Sequence, residues 1–166
     1  MYLTIMRHGE AGMAVTDRMR ELTERGVADV GLGGTLLLLY CTQRQLPSPQ
    51  VLLYSEWVRT AQTAMIVAEA LPGSQLAAEQ ALIPGRQPDD IEPALAQRFG
   101  AELPEHVLLI SHQPLVSRLV DAYLGVPGRL PGLVPGGFAT LEMAYPGPDA
   151  ATPVMCAQPP DYEVLM

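Results

Sequence analysis

Apolar residues along the chain fall into two alternating patterns. Short, nearly continuous apolar runs occur at Tyr2–Met6, at Gln50–Tyr54 and at His106–Ser111, where Val107-Leu108-Leu109-Ile110 is unbroken. Runs of this kind, bounded by polar or glycine positions, predict buried strands. Between them the apolar positions recur at helical spacing. A helix is expected from Thr23, as N-cap, to about Thr42. Gly31, Gly33 and Gly34 lower its propensity and would let it lie close on a sheet. Ser55 reads as the cap of a second helix running to about Leu71, with Trp57, Ala61, Ala64, Met65 and Ala68 as its buried face. Pro88–Gly100 predicts a third, with Pro93 near its first turn. Pro114 opens a fourth, whose apolar face is Leu115, Val116, Leu119, Val120 and Tyr123.

Elsewhere the pattern is irregular. Pro72–Pro88 reads as loop, with a short strand near Leu76–Ala78. Half of the sixteen prolines lie between Pro127 and Pro160, so no helix is expected after Gly125. Phe138–Tyr145 and Val154–Ala157 are candidate edge strands. Alternating strands and amphipathic helices predict one α/β domain over residues 1–166, a three-layer α/β/α sandwich with a mostly parallel central sheet. In such a sheet the ligand lies beyond the carboxyl ends of the strands.

Three predicted strands end in reactive groups: Arg7-His8-Gly9, then Ser55 with Arg59 one turn later, then Ser111-His112. A shared edge would bring two His and two Arg into one crevice. That set suits a phosphoryl group, because guanidiniums fork onto its oxygens and a neutral imidazole can attack phosphorus in line. Gly9 would let the backbone pass close to the substrate. The neighbouring Arg charges would disfavour a second positive charge and so keep His8 neutral.

Composition narrows the chemistry. All ten basic residues are Arg, with no Lys and no Asn, and eighteen acids set the net charge at −8. Lysine-based Schiff-base and P-loop chemistry is excluded, and any phosphate must be held by Arg, His, backbone N–H groups or a metal. The acidic balance argues against nucleic acid and against anionic membrane surfaces. Cys41 and Cys156 form no close-spaced motif and read as reduced thiols. The N-terminus has no signal-peptide pattern, and the apolar stretch Gly31–Cys41 is too short to cross a bilayer, so a cytoplasmic location is expected. No metal-ligand spacing is present, and no cofactor is expected.

The motifs also carry a resemblance. Arg7-His8-Gly9 after an N-terminal strand resembles the signature of the histidine phosphatase superfamily, which includes phosphoglycerate mutases. Ser55-Glu56-Trp57-Val58-Arg59-Thr60-Ala61-Gln62-Thr63-Ala64 is similar to its second motif, with Glu56 where the family often has Pro. Ser111-His112-Gln113-Pro114-Leu115-Val116 is similar to its third. The short length and Leu22-Thr23-Glu24-Arg25-Gly26 resemble the SixA-type phosphohistidine phosphatases. The resemblance implies His8 as nucleophile, with Arg7, Arg59 and His112 binding the phosphoryl oxygens, and no metal or cofactor. Gly9 belongs to the phosphate-binding motif, and Ser55, Ser111 and Glu79 are possible additional site residues. Larger members carry a carboxylic acid that protonates the leaving group. Glu79, Asp89 and Asp90 lie in the plausible region, but none sits in a matching motif. A protonated phosphohistidine departs as neutral imidazole and needs no further acid, so phosphohistidine on a phosphotransfer domain or phosphocarrier protein is the expected substrate. A small-metabolite phosphomonoesterase and a non-catalytic phosphate-binding module are the alternatives. His106 precedes its strand without a partner motif and reads as structural. Arg18, Arg20 and Arg25 read as surface residues.

Overall fold

A computed structural model describes all residues, 1–166. Six strands form one sheet: β1 (Tyr2–Arg7), β2 (Val51–Tyr54), β3 (Gln75–Ala78), β4 (His106–Ser111), β5 (Phe138–Met143) and β6 (Ala151–Ala157). Their order is β3-β2-β4-β1-β5-β6. The pairs β2–β3, β2–β4 and β1–β4 are parallel, while β5 runs antiparallel to β1 and β6 antiparallel to β5. Register aligns the ends that matter: Arg7 lies opposite Ser111, and Tyr54 opposite Ile110. The carboxyl ends of β1, β2 and β4 therefore share one edge.

Four helices cover the sheet: α1 (Glu24–Gln43), α2 (Val58–Glu69), α3 (Ile91–Phe99) and α4 (Leu115–Leu124). Alternation along the strands divides the core. Leu3, Ile5, Val107 and Leu109 pack with Leu95 of α3 and with Leu115, Leu119 and Tyr123 of α4. Met6, Leu108 and Ile110 face the other way, onto Val30 and Leu37 of α1 and Ala64 and Val67 of α2. The chain is thus a three-layer α/β/α sandwich with a mostly parallel sheet. No helix is long and apolar enough to cross a membrane.

Several expectations change. Phe138–Met143 is not an edge strand; it lies inside the sheet between β1 and β6. The buried face of α2 is Arg59, Thr60, Thr63, Ala64 and Val67, whereas Met65 is 59% exposed. The two threonines can be buried because their hydroxyls donate to Ser55 O and Arg59 O, both at 2.7 Å. The cap of α2 is Trp57, not Ser55. The glycines of α1 make room for neighbours other than the sheet. A Cβ on Gly33 would fall 2.7 Å from the Tyr162 hydroxyl, and one on Gly34 would fall 3.2 Å from Val67 Cα. Tyr162 is itself fully buried, stacks on Phe138 and donates to Asp29 O (2.8 Å), so the C-terminal segment belongs to the core.

Candidate active site

At the shared strand edge, Arg7, His8, Glu10, Ala11, Asp17, Arg20, Arg59, His112, Gln113 and Pro135 line a pocket of about 380 Å³. His8 follows β1 and is buried. Its Nδ1–H donates to the Gly9 carbonyl at 2.7 Å, because a carbonyl can only accept. Nε2 is therefore unprotonated, and it accepts from Arg59 Nε–H at 3.1 Å. The ring tautomer is fixed with the Nε2 lone pair directed at a guanidinium. His8 is held down to about pKa 4, chiefly by burial, with the Arg59, Arg7 and Arg20 charges adding to it. Burial outweighs the cationic neighbours that the sequence pointed to.

Arg59 sits in the first turn of α2, where the backbone between Ser55 and Thr60 points it back over the strand ends. Two of its other N–H groups go to Asp17: Nη1 donates to the backbone carbonyl at 2.7 Å, and Nη2 meets the carboxylate at 3.4 Å. Trp57 lies beneath its guanidinium, 5.2 Å from ring centroid to Cζ, and edge-on to His112 at 5.6 Å. Hydrogen bonds from Arg20 first, and then the Arg59 charge, hold the Asp17 carboxyl below its ordinary range, so it is ionised. Arg7 Nη1 donates to Leu133 O at 3.2 Å, while its Nε is buried without a partner.

His112 follows β4, with its ring centroid 5.1 Å from that of His8. Its Nε2 lies 2.8 Å from Ser55 Oγ. Ser55 is fully buried and takes a long bond from Trp57 N–H (3.4 Å), so its own proton has one acceptor, His112 Nε2. That places the ring proton on Nδ1, which is buried and unpartnered. His112 is lowered to about pKa 3, chiefly by burial and then by His8 and Arg59, so it is a neutral donor. Two orphaned donors, Arg7 Nε and His112 Nδ1, thus belong to residues that line the same pocket. Orphaned buried donors are costly, and an oxyanion bonded to them would offset that cost.

The sequence grouped Arg7, His8, Arg59 and His112, and these converge. Three other expectations do not. Gly9 does not line the pocket: its N–H donates to Thr63 Oγ1 (3.1 Å), and a Cβ there would strike Val30 of α1 at 2.8 Å. It is glycine for close packing on α1, not for approach to a ligand. Ser111 points the other way and donates to Leu82 O at 2.6 Å. Glu79 is paired with Arg98 at 2.9 Å and accepts from Ala81 N–H, away from the pocket. Conversely, Glu10, Asp17 and Arg20 line it although the motif pattern did not select them. Asp17 opens a short 3-10 turn, Asp17–Met19, and Arg20 closes it. Glu56 at the rim is paired with Arg18 at 2.9 Å. No group of three His, Cys, Asp or Glu side chains is arranged to hold a metal ion.

No family model matches the chain, nor does any curated protein sequence. Solved structures do. The protein histidine phosphatase SixA in complex with tungstate superposes with a TM-score of 0.75 at 25% identity, over 94% of this chain and 96% of that one. A protein described as a SixA phosphohistidine phosphatase from Nakamurella multipartitia gives a TM-score of 0.72 at 24% identity, covering 95% of each. A mycobacterial glucosyl-3-phosphoglycerate phosphatase with bound VO3 gives 0.64 at 19%, over 92% of this chain and 96% of that one. These last two speak to the fold alone. In fold the chain resembles the histidine phosphatase superfamily and, within it, the SixA-type branch.

Proposed function

We propose that the chain is a phosphatase that hydrolyses phosphohistidine on a signalling or phosphocarrier protein through a covalent phospho-His8 intermediate. The observation that carries this is the His8 tautomer: a neutral imidazole with a bare Nε2, beside Arg59 and two unpartnered donors. Tungstate, the ligand of the SixA structure, is a phosphate-like oxyanion, which supports a phosphoryl ligand for this chain.

An incoming phosphoryl group takes Arg59 from Asp17 and from His8 Nε2, releasing the lone pair. Nε2 attacks phosphorus, and the P–N bond to the substrate imidazole breaks, its electron pair returning to that nitrogen. With its other ring nitrogen protonated, the substrate leaves as neutral imidazole. Water then attacks phospho-His8, the P–Nε2 bond breaks with its electron pair returning to Nε2, and both protons of the water leave with the phosphate as dihydrogen phosphate. Arg7, Arg59 and His112 Nδ1–H bind the three oxygens over which charge is spread in each transition state.

The fate of the leaving group favours a phosphoramidate substrate. Asp17 is held ionised and Glu79 lies outside the pocket, so neither serves as general acid. General-acid assistance is worth about 10²–10⁴-fold to an alkoxide leaving group. A small-metabolite phosphomonoesterase is the second reading, favoured by Glu10, which lines the pocket and whose carboxylate accepts from the Thr23 hydroxyl at 2.9 Å. The test is to mix the protein with a histidine-phosphorylated phosphotransfer domain and quench within one turnover. Acid-labile phosphate should appear on His8, and His8→Ala should abolish both labelling and turnover. Sugar phosphates cleaved faster than the phosphoprotein would establish the second reading, and undiminished turnover by His8→Ala would remove both.

A further inference from the structure

The segment from Ala11 to Leu22 is a closed loop built into the pocket wall. Ala11 and Leu22 form an antiparallel bridge, and Gly12 N–H donates to Glu21 O at 2.8 Å. Arg20 ties the same neck from inside, its Nε donating to Gly12 O (2.7 Å) and its Nη2 to Ala11 O (3.2 Å). The far side is fastened by Arg59, through the Asp17 carbonyl. Ala11, Asp17 and Arg20 line the pocket. The tip does not, and it is apolar: Met13 and Val15 are each 96% exposed and Met19 57%.

Scattered exposed apolar residues are ordinary, but these are concentrated at one place. Pro135 also lines the pocket, and Val134 beside it is 41% exposed, held by its N–H to Gln158 Oε1 at 2.7 Å. Two of the segments that line a strongly polar pit therefore carry exposed apolar side chains. Both arginines of the loop are already paired, Arg18 with Glu56 and Arg20 with Asp17. Met13 and Val15 carry no charge, so contact with them is apolar.

We infer that the Ala11–Leu22 loop is the docking element for a folded protein that presents its phosphorylated histidine on an apolar face. The inference rests on the phosphohistidine reading and specifies its substrate class. A small metabolite is enclosed by the pocket and leaves Met13 and Val15 in water. A protein whose side-chain phosphoryl reaches His8 must lay its surrounding surface against them. Because the neck is already hydrogen-bonded, docking orders little additional chain. Methionine at the tip adapts to differently shaped apolar partners.

The test compares the M13S/V15S double variant with wild type on two probes: a histidine-phosphorylated phosphotransfer domain, and free phosphohistidine. Neither residue lines the pocket, so turnover of free phosphohistidine should be unchanged. KM for the phosphoprotein should rise about tenfold with kcat unchanged. An unaltered KM for the phosphoprotein overturns the docking role, as does an equal loss on both probes, which would make the loop part of the pocket. Wild type that cleaves free phosphohistidine as efficiently as the phosphoprotein overturns docking while leaving the phosphohistidine reading intact. Wild type that cleaves neither overturns that reading itself.

Discussion

Single residues in the pocket act through hydrogen-bond bookkeeping. Ser55 illustrates this. A serine just before a helix has one sequence signature whether it caps the helix or reaches a distant partner, and here it reaches His112. By donating to Nε2 it sets the His112 tautomer and turns Nδ1–H into a donor for the phosphoryl group. Ser55→Ala should therefore let the ring exchange tautomers and lower kcat/KM by about 5–30-fold, the worth of roughly 1–2 kcal/mol of hydrogen bonding. Nitrogen-15 spectra of the His112 ring test this directly. The Nδ1–H pattern should be lost in the alanine variant and restored, with activity, in Ser55→Thr. An unchanged ring spectrum in Ser55→Ala would assign the tautomer to some other group. Arg7, His8, Arg59 and His112 were legible because their motifs sit at strand ends, and strand ends are visible in the apolar pattern. Gly9, Ser111 and Glu79 were misplaced because their neighbours along the chain say nothing of the helix or turn each one meets.

Elements position the site through close backbone approach, and α1 is the main case. Thr23 caps α1 by accepting from Gly26 N–H at 3.0 Å, and its own N–H donates to Glu10 O at 2.9 Å. The start of α1 is thus fastened to the backbone that follows His8. A Cβ on Gly26 would lie 2.2 Å from Glu10 O, so only glycine allows that approach. Gly26→Ala should force the two apart, costing about 1–3 kcal/mol, or roughly 3–10 °C in Tm for a chain this long. Activity should fall with it, because Glu10 moves with the His8 turn. Gly12→Ala is the control for stability, since its Cβ meets nothing closer than 3.9 Å; an equal Tm loss in both variants would refute the steric account. The strands and the helix starts were legible at this scale. The buried face of α2 was not, because apolar periodicity favours Met65 over Thr60 and Thr63. Those threonines are inside only because backbone carbonyls of the preceding residues accept their protons.

The whole molecule encloses all three of its histidines in neutral form. His8 and His106 are held down to about pKa 4 and His112 to about 3, each chiefly by burial. His106 stands at the other end of β4 from the pocket and serves structure: its Nδ1–H donates to Pro47 O at 2.7 Å, and its Nε2 accepts from Thr4, whose hydroxyl also meets Thr140, both at 2.7 Å. This chain of bonds ties β4, β1 and β5 together. The sign for stability follows from proton counting. Below about pH 6.5 the unfolded chain binds protons at these imidazoles, while the native state binds none until about pH 4. Stability should therefore fall as pH drops across that window, by at most about 4 kcal/mol per pH unit from three groups together. Net charge works the other way. At −8, acidification toward the isoelectric point relieves self-repulsion. Exposed charges are screened by salt and worth little each, whereas the histidines are buried, so the histidine effect should win. Urea midpoints at high salt should be flat from pH 8 to 7 and then decline steadily to pH 5, with His106→Gln weakening the decline by about a third. Midpoints that hold or rise toward pH 5 would mean that burial does not set these protonation states. The same shifts separate stability from catalysis: His8 stays neutral to about pH 4. Under conditions where the protein remains folded, its phosphorylation by a phosphohistidine donor should show no acid limb near pH 6.5, and a limb there would contradict the buried, neutral nucleophile on which the proposed reaction depends.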